Sequence, residues 1–109
     1  MNPQRALGRA KGRPLAVAAA LALVAIQAWA GDPMRGAELF RAHCSGCHGP
    51  NGRPVLPAAP DFTHPMALLK PDLALLATVR SGRGAMPAYA GVLRDRDILD
   101  IISHLRTLK

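Results

Sequence analysis

Two thiols and an imidazole stand close together at Cys44, Cys47 and His48, in the run C-S-G-C-H. Thiols three positions apart lie about one helical turn from each other. Each can therefore form a thioether with one vinyl group on the same edge of a porphyrin. The imidazole that follows directly can then donate a ring nitrogen to the iron. The spacing predicts one covalent haem (haem c) bound through Cys44 and Cys47, with His48 as an axial ligand.

Two other uses of a C-x-x-C pair compete with haem attachment. Thiol–disulfide exchange is typical of a strand followed by a helix, and no part of this chain has the pattern of a strand. A structural zinc site needs four ligands, and two of the four histidines would have to complete it because the chain has only two cysteines. A disulfide between Cys44 and Cys47 would close a very small loop that constrains the unfolded chain little. The motif therefore favours haem, with a thiol protein and a zinc site as the alternatives.

The first thirty residues have the anatomy of a secretory signal peptide. Basic residues open the segment, an apolar run follows over residues 15–26, and Ala28-Trp29-Ala30 supplies small residues in the A-x-A arrangement. An apolar run of this length is typical of a signal core, whereas a membrane-spanning helix needs about 20 residues. The sequence predicts cleavage after Ala30, export to a bacterial periplasm, and no membrane span in the mature protein. A retained membrane anchor is the alternative.

Removing residues 1–30 changes what charge and size imply. The whole chain carries +7, but four of its positive charges belong to the leader, so residues 31–109 hold ten Lys and Arg against seven Asp and Glu. No basic stripe with interleaved aromatic residues is present, which argues against nucleic-acid binding. A domain of about 80 residues is marginal if its own side chains must supply the whole core. A large apolar cofactor would supplement that core.

Hydrophobic periodicity predicts an all-α fold of three to four helices within residues 31–109. A first helix is expected from Asp32, as N-cap, and Pro33 to about Ala42, with Gly36 suited to close approach of another helix. A proline- and glycine-rich loop follows over residues 49–60. A second helix is expected over residues 71–80, where Leu73, Leu76 and Ala77 recur at helical spacing with Leu75 and Val79 beside them. The last helix should run over residues 95–108, with its apolar face built by Ile98, Ile101, Ile102, Leu105 and Leu108 and with Asp97, Asp100 and Arg106 facing solvent.

The second axial ligand decides the chemistry of the iron, since an empty position binds small molecules and a filled one favours electron transfer. Met86 is the strongest candidate, because it follows two glycines that permit close backbone approach and precedes Pro87, which restrains the chain. Met66 and His64 are the alternatives. The remaining methionine and histidines (Met34, His43 and His104) are expected at the surface or in packing roles.

With these residues placed, the sequence resembles the small monohaem class I cytochromes c of bacteria over residues 32–109. Gly36 and Phe40 match the first helix of that family, and residues 80–89 match its methionine loop closely. The resemblance implies that the Pro60 carbonyl accepts a hydrogen bond from His48 Nδ1 and that the last helix crosses the first near Gly36. It also places His104 where the family often has a tyrosine.

The resemblance and the motif together predict an electron carrier rather than an enzyme. The first hypothesis is a monomeric periplasmic cytochrome that passes single electrons between membrane-bound or periplasmic oxidoreductases, docking near Cys47, Pro87 and Ala88. A dedicated haem c subunit of one periplasmic dehydrogenase or sulfur-oxidising enzyme is the alternative within the same chemistry. A ligand-binding sensor or peroxidase-like enzyme with an open iron is the alternative from another class.

Overall fold

A computed structural model describes residues 31–109, so the predicted signal peptide and its cleavage site lie outside the described residues. In this part of the chain four α-helices are present: α1 (Pro33–His43), α2 (Ser45–His48), α3 (Asp72–Ser81) and α4 (Asp95–Leu105), and a short 3-10 helix spans Pro65–Leu68. No strand is present among these residues. The prediction of an all-α fold with three to four helices is therefore confirmed.

Helix α1 begins as its sequence predicts. The Asp32 carboxylate accepts hydrogen bonds from the backbone N–H groups of Met34 (3.0 Å) and Arg35 (3.2 Å), and Pro33 occupies the first helical position. These bonds satisfy two of the amide donors that a helix N-terminus leaves without partners. The helix continues to His43, so its end delivers the chain directly to Cys44.

Helices α1 and α4 cross at Gly36, which is buried. A Cβ atom at this position would overlap the Asp100 carbonyl group of α4. Only a glycine lets the two backbones approach this closely, which is the use of glycine that the sequence predicts. The crossing is tight even though the chain has His104 where the resembled family often has a tyrosine. The His104 ring instead lies 5.4 Å from the Phe40 ring, between centroids.

The prediction that Asp97 and Asp100 face solvent is wrong, because both residues of α4 are buried. Asp97 accepts hydrogen bonds from Arg35 Nη2 (2.7 Å) and from the backbone N–H of Arg94 (3.0 Å). Asp100 accepts one from the Asp32 backbone N–H (2.8 Å). Buried carboxylates are tolerated when they are paired and hydrogen-bonded. Apolar periodicity could not show this, since Arg35 and the Asp32 amide come from the chain segment around α1 and only Arg94 is close to Asp97 in sequence.

Helix α3 packs with only part of the apolar set that the sequence suggests. Leu76 is buried and Leu75 and Val79 pack against the core, whereas Leu73 is 73% exposed and Ala77 is also exposed. Arg106, at the end of α4, donates to the Leu68 and Lys70 carbonyl oxygens (both 2.9 Å), and its Nε donates to the Asp72 carboxylate (2.9 Å). This arginine therefore holds the start of α3 against the end of α4.

The core lies between α1, α3 and α4. Its buried apolar members are Phe40, Leu76, Leu93, Ile98, Ile101, Ile102 and Leu105. The apolar face predicted for the last helix is confirmed at four of its five positions, and Leu108 packs against the same core although α4 ends at Leu105. Within residues 31–109, no helix has both the length and the apolar character needed to cross a bilayer.

Candidate haem site

The C-S-G-C-H run forms a single helical turn directly after α1. The Cys44 carbonyl oxygen accepts hydrogen bonds from the backbone N–H groups of Cys47 (3.3 Å) and His48 (3.0 Å). Cys44 is half-buried and packs against the core, while Cys47 is exposed. The turn ends at Gly49, whose positive φ of 77° suits glycine, and a Cβ there would overlap the Arg53 carbonyl. The two thiols are thus held one turn apart, as the sequence predicts.

The His48 ring packs against two aromatic side chains. It stacks on the Phe62 ring, with centroids 4.8 Å apart and an interplanar angle of 27°, and its centroid lies 6.5 Å from that of Phe40. Burial lowers the pKa of His48. The imidazole is therefore neutral at pH 7, which is the form that ligates a metal.

His48 Nδ1 is buried and, among the described residues, has no hydrogen-bond partner. The expected bond to the Pro60 carbonyl is therefore not formed in this structure. Backbone bonds hold the loop on both sides of Pro60, from Ala59 N to the Leu56 carbonyl (3.0 Å) and from Phe62 N to the Gly52 carbonyl (2.9 Å). Pro60 itself is exposed. A buried polar atom without a hydrogen-bond partner is costly, so this nitrogen marks a site that needs a further partner.

Met86 ends a tight turn that follows α3. Arg83 and Met86 exchange two backbone hydrogen bonds, of 3.0 and 2.9 Å, around Gly84 and Ala85. Gly84 has a φ of 56° while Ala85 does not have a positive φ, which is the pattern of a type II′ turn with glycine at its first central position. Gly82 lies beneath this loop, and a Cβ there would come within 3 Å of backbone atoms of Met86, Pro87 and Ala88. The predicted close backbone approach next to Met86 is thus visible at Gly82, whereas a Cβ at Gly84 would meet nothing within 4 Å and that glycine instead supplies the positive φ of the turn.

Tyr89 connects the methionine loop to the segment that carries the two thiols. Its hydroxyl donates a hydrogen bond to the His43 carbonyl oxygen (2.9 Å), and its ring packs edge-on against the His43 ring with centroids 6.3 Å apart. Burial raises the pKa of Tyr89 and the neighbouring Cys44 and Cys47 thiols act in the same direction. The phenol therefore stays protonated at neutral pH and remains a donor. The sequence pattern assigns this tyrosine no role, although its position directly after Met86-Pro87-Ala88 is a signal that could have indicated one.

The other candidates for the second axial position are less restrained. Met34 and Met66 are 78% and 76% exposed, and His64 is exposed with its Nε2 4.0 Å from an Asp61 carboxylate oxygen. His43 is exposed and His104 packs on Phe40, as expected. Met86 is half-buried in a loop whose backbone is fixed by hydrogen bonds at both ends.

The site does not support the two other uses of the C-x-x-C pair, which are thiol–disulfide exchange and zinc binding. Burial raises the pKa of the Cys44 thiol to about 11, whereas reactive thiols in exchange proteins have lowered pKa values. Among residues 31–109, no three His, Cys, Asp or Glu side chains are grouped so that they could hold a metal ion.

The residues at the site fit a haem. The loop after the motif folds back on it, because the backbone N–H groups of Val55 (3.0 Å) and Leu56 (3.1 Å) both donate to the Cys47 carbonyl oxygen. Their apolar side chains are nevertheless exposed, at 67% and 39%. A covalently bound porphyrin would require such surroundings: two thiols, a neutral imidazole with a buried unpaired nitrogen, and apolar side chains left uncovered.

Comparison with known proteins agrees with this geometry. Residues 31–105 match the family profile described as cytochrome c oxidase, cbb3-type, subunit III. The chain belongs to the cytochrome c family. Cytochrome c6 from a Picosynechococcus species is 32% identical to this cytochrome over 90 residues, covering 72% of this chain and 74% of the relative. Cytochrome c6 from a Nostoc species is 32% identical over 87 residues, covering 72% of each chain.

The fold of this cytochrome also matches a solved structure. Cytochrome c6 from the diatom Phaeodactylum tricornutum superposes with a TM-score of 0.61 at 26% identity, covering 71% of this chain and 93% of that one. The relatives confirm the predicted resemblance to small monohaem class I cytochromes c. They also establish that the protein is a c-type cytochrome electron carrier, not an enzyme, with one covalent haem c at a C-x-x-C-H arrangement.

Proposed function

We propose that this cytochrome is exported to the bacterial periplasm and carries single electrons through a haem c held by four of its side chains. Cys44 and Cys47 would form the thioether links, and His48 and Met86 would donate a nitrogen and a sulfur to the iron. The observation that carries the proposal is the pairing of two fixed segments: a one-turn helix that presents both thiols with His48, and a hydrogen-bonded loop that presents Met86.

The protein supplies a rigid, neutral nitrogen ligand. Phe62 stacks on the imidazole and burial keeps it unprotonated, so His48 is prepared to donate a ring nitrogen to iron. The Pro60 carbonyl is the acceptor that we propose for His48 Nδ1 in the haem-bound protein. Such a bond would satisfy the buried donor, fix the ring orientation and raise the basicity of the imidazole.

The protein also supplies a sulfur ligand that is held in place in both oxidation states. The type II′ turn over residues 83–86 and the packing of Gly82 beneath the loop restrict the backbone of Met86. When bound, haem provides a one-electron Fe(III)/Fe(II) couple, and His/Met ligation favours a relatively high potential. Because both ligands sit on restrained segments, little of the chain has to move when the electron arrives or leaves.

The proposed route to the periplasm depends on residues 1–30, which we propose to be a signal peptide removed after Ala30. The short apolar run and the A-x-A residues before the cleavage position support this. An intact-mass measurement on exported protein tests it. A mass equal to residues 31–109 plus one haem agrees with cleavage, whereas a mass that includes Met1 to Ala30 indicates a retained anchor.

The proposed partners are other redox proteins that dock on the face containing Cys47, Pro87 and Ala88. All three residues are exposed, and they flank the two segments that hold the cofactor. Electron-transfer encounters of this kind bury a small area and are short-lived. We propose that the carrier acts as a monomer. A stoichiometric complex that survives purification would instead favour a dedicated subunit of one enzyme.

The optical spectrum of the exported protein tests haem, covalency and ligation together. We expect a Soret band that remains with the polypeptide after acid–acetone extraction. The oxidised protein should also show the weak far-red charge-transfer band that accompanies Fe(III)–thioether ligation. Met86→Ala should abolish that band, lower the potential and open the reduced iron to carbon monoxide.

Met66→Ala is the matched control, because Met66 is an alternative ligand and 76% exposed. It should leave the far-red band and the potential unchanged. A band lost in the Met66 variant but retained in the Met86 variant would overturn the ligand assignment. A colourless exported protein would overturn the whole proposal.

A further inference from the structure

The hydroxyl of Tyr89 completes the C-terminus of α1. The last carbonyl groups of a helix have no partner within that helix. In this chain the Arg41 carbonyl accepts from the Ser45 hydroxyl (2.7 Å), and the His43 carbonyl accepts from the Tyr89 hydroxyl (2.9 Å) across 46 positions of sequence. His43 directly precedes Cys44. The bond therefore reaches the segment that carries the thiols.

The backbone of Tyr89 is itself fixed at both of its polar groups. Its N–H donates to the Val79 carbonyl oxygen (3.1 Å) at the end of α3. Its own carbonyl accepts from the N–H groups of Val92 and Leu93, at 3.0 Å each. Its side chain also packs against the hydrophobic core. A side chain anchored in this way can transmit restraint to its neighbours, and Met86 lies only three residues away with Pro87 between them.

We propose that Tyr89 is a positioning residue that keeps Met86 on the iron, by tying the methionine loop to the segment that holds the thioether links. The inference rests on the proposed ligation by Met86. The two axial ligands come from separate segments of the chain. Of the described contacts between the methionine loop and the segment of residues 43–48, the Tyr89 hydroxyl makes the only hydrogen bond.

The consequence is a competition that can be measured. An external ligand such as imidazole binds the oxidised iron only when Met86 has left, so its apparent affinity reports the equilibrium between the closed and open loop. In the open state, water can satisfy both the phenol and the His43 carbonyl. Losing the hydroxyl therefore destabilises the closed state alone. The net free energy of one hydrogen bond predicts that the apparent affinity for imidazole rises about 2- to 12-fold.

The experiment titrates oxidised holoprotein with imidazole and follows the loss of the far-red band. Tyr89→Phe keeps the ring and its packing, and should raise the apparent affinity for imidazole about 2- to 12-fold. Thr107→Val is the matched control. The Thr107 hydroxyl also donates to a carbonyl at a helix C-terminus, that of His104 (2.7 Å), but it lies far along the chain from the methionine loop. This control should leave the imidazole affinity unchanged.

The outcomes separate the inference from the proposal beneath it. Equal imidazole affinities in the Tyr89→Phe variant and the wild type would overturn the positioning role. The positioning role would also be overturned if Thr107→Val raised the imidazole affinity as much as Tyr89→Phe does for the same loss of stability towards urea. That result would indicate general destabilisation. A wild-type protein without the far-red band, or a Met86→Ala variant that keeps it, would instead overturn the ligation by Met86.

Discussion

Gly36 of α1 lies against the backbone carbonyl of Asp100 of α4, so closely that no side chain fits between the two helices. This contact sets the distance between the helix that leads into the haem motif and the helix that contributes most of the buried apolar residues. Asp100 also accepts a hydrogen bond from the Asp32 backbone N–H, just before α1 (2.8 Å). The crossing is therefore held by both packing and polar contacts.

Gly36→Ala should destabilise the protein by about 1–3 kcal/mol, because the new methyl group forces the two backbones apart. Gly46→Ala is the matched control, since Gly46 also lies in a helix but a Cβ there meets nothing within 4 Å. The control should be neutral or stabilising by up to about 1 kcal/mol, as expected from helix propensity. Urea unfolding of both holoproteins measures the difference. Equal free energies of unfolding would show that the crossing tolerates a methyl group.

Gly82→Ala should displace the methionine loop, because its Cβ would come within 3 Å of the Met86 carbonyl oxygen and of the backbone of Pro87 and Ala88. We expect it to lower the free energy of unfolding by about 1–3 kcal/mol more than Gly91→Ala does. Gly91 has a similar φ of 83° but open space around it, so its variant carries only the conformational cost. Imidazole should also bind the Gly82 variant more tightly. Similar behaviour of the two variants would mean that the steric contact has no effect on the ligand.

Asp97 should contribute to stability in a pH-dependent manner. Its pKa lies below the usual 3.8, chiefly because the Arg94 side chain donates hydrogen bonds to the ionised carboxylate, with a further contribution from the charge of Arg35. A carboxyl group whose pKa is lower in the folded state stabilises the fold above its ordinary pKa. That contribution is lost as the pH falls below 3.8 and through the folded-state value.

Asp97→Asn should therefore be less stable than the wild type at pH 7, and the difference should shrink in acid. Thermal unfolding between pH 7 and pH 3 measures it. Glu38→Gln is the control, because Glu38 is exposed and forms no ion pair within the described part of the chain. A difference in stability between wild type and Asp97→Asn that stays constant across this pH range would contradict the prediction.

Arg106→Gln should loosen the start of α3. The guanidinium binds two backbone carbonyls and the Asp72 carboxylate, so the variant loses several hydrogen bonds at once. Because the group is partly exposed, we expect a loss of about 1–2 kcal/mol. Arg96→Gln, which removes an exposed arginine without an ion pair among residues 31–109, should change stability by less than about 0.5 kcal/mol. Equal effects of the two changes in urea unfolding would show that the contacts of Arg106 add nothing.

The sequence by itself determined the features that depend on neighbouring residues. Helix starts, turn glycines and the thiol–imidazole spacing are local, so the order of residues alone is enough to interpret Asp32, Gly84 and the run from Cys44 to His48. The apolar face of α4 can equally be predicted from the sequence, because periodicity along one helix requires no knowledge of its packing partners.

Only the tertiary structure decided the relationships between distant segments. Periodicity places Asp97 and Asp100 in solvent, yet Arg35 and the Asp32 backbone amide, both from the segment around α1, pair with them inside the fold. It also groups Leu73 and Ala77 with the apolar residues Leu75, Leu76 and Val79 of α3, but only the last three pack on the core. The Tyr89–His43 bond joins residues 46 positions apart. Long-range pairing depends on how helices pack in three dimensions, and no local spacing encodes that arrangement.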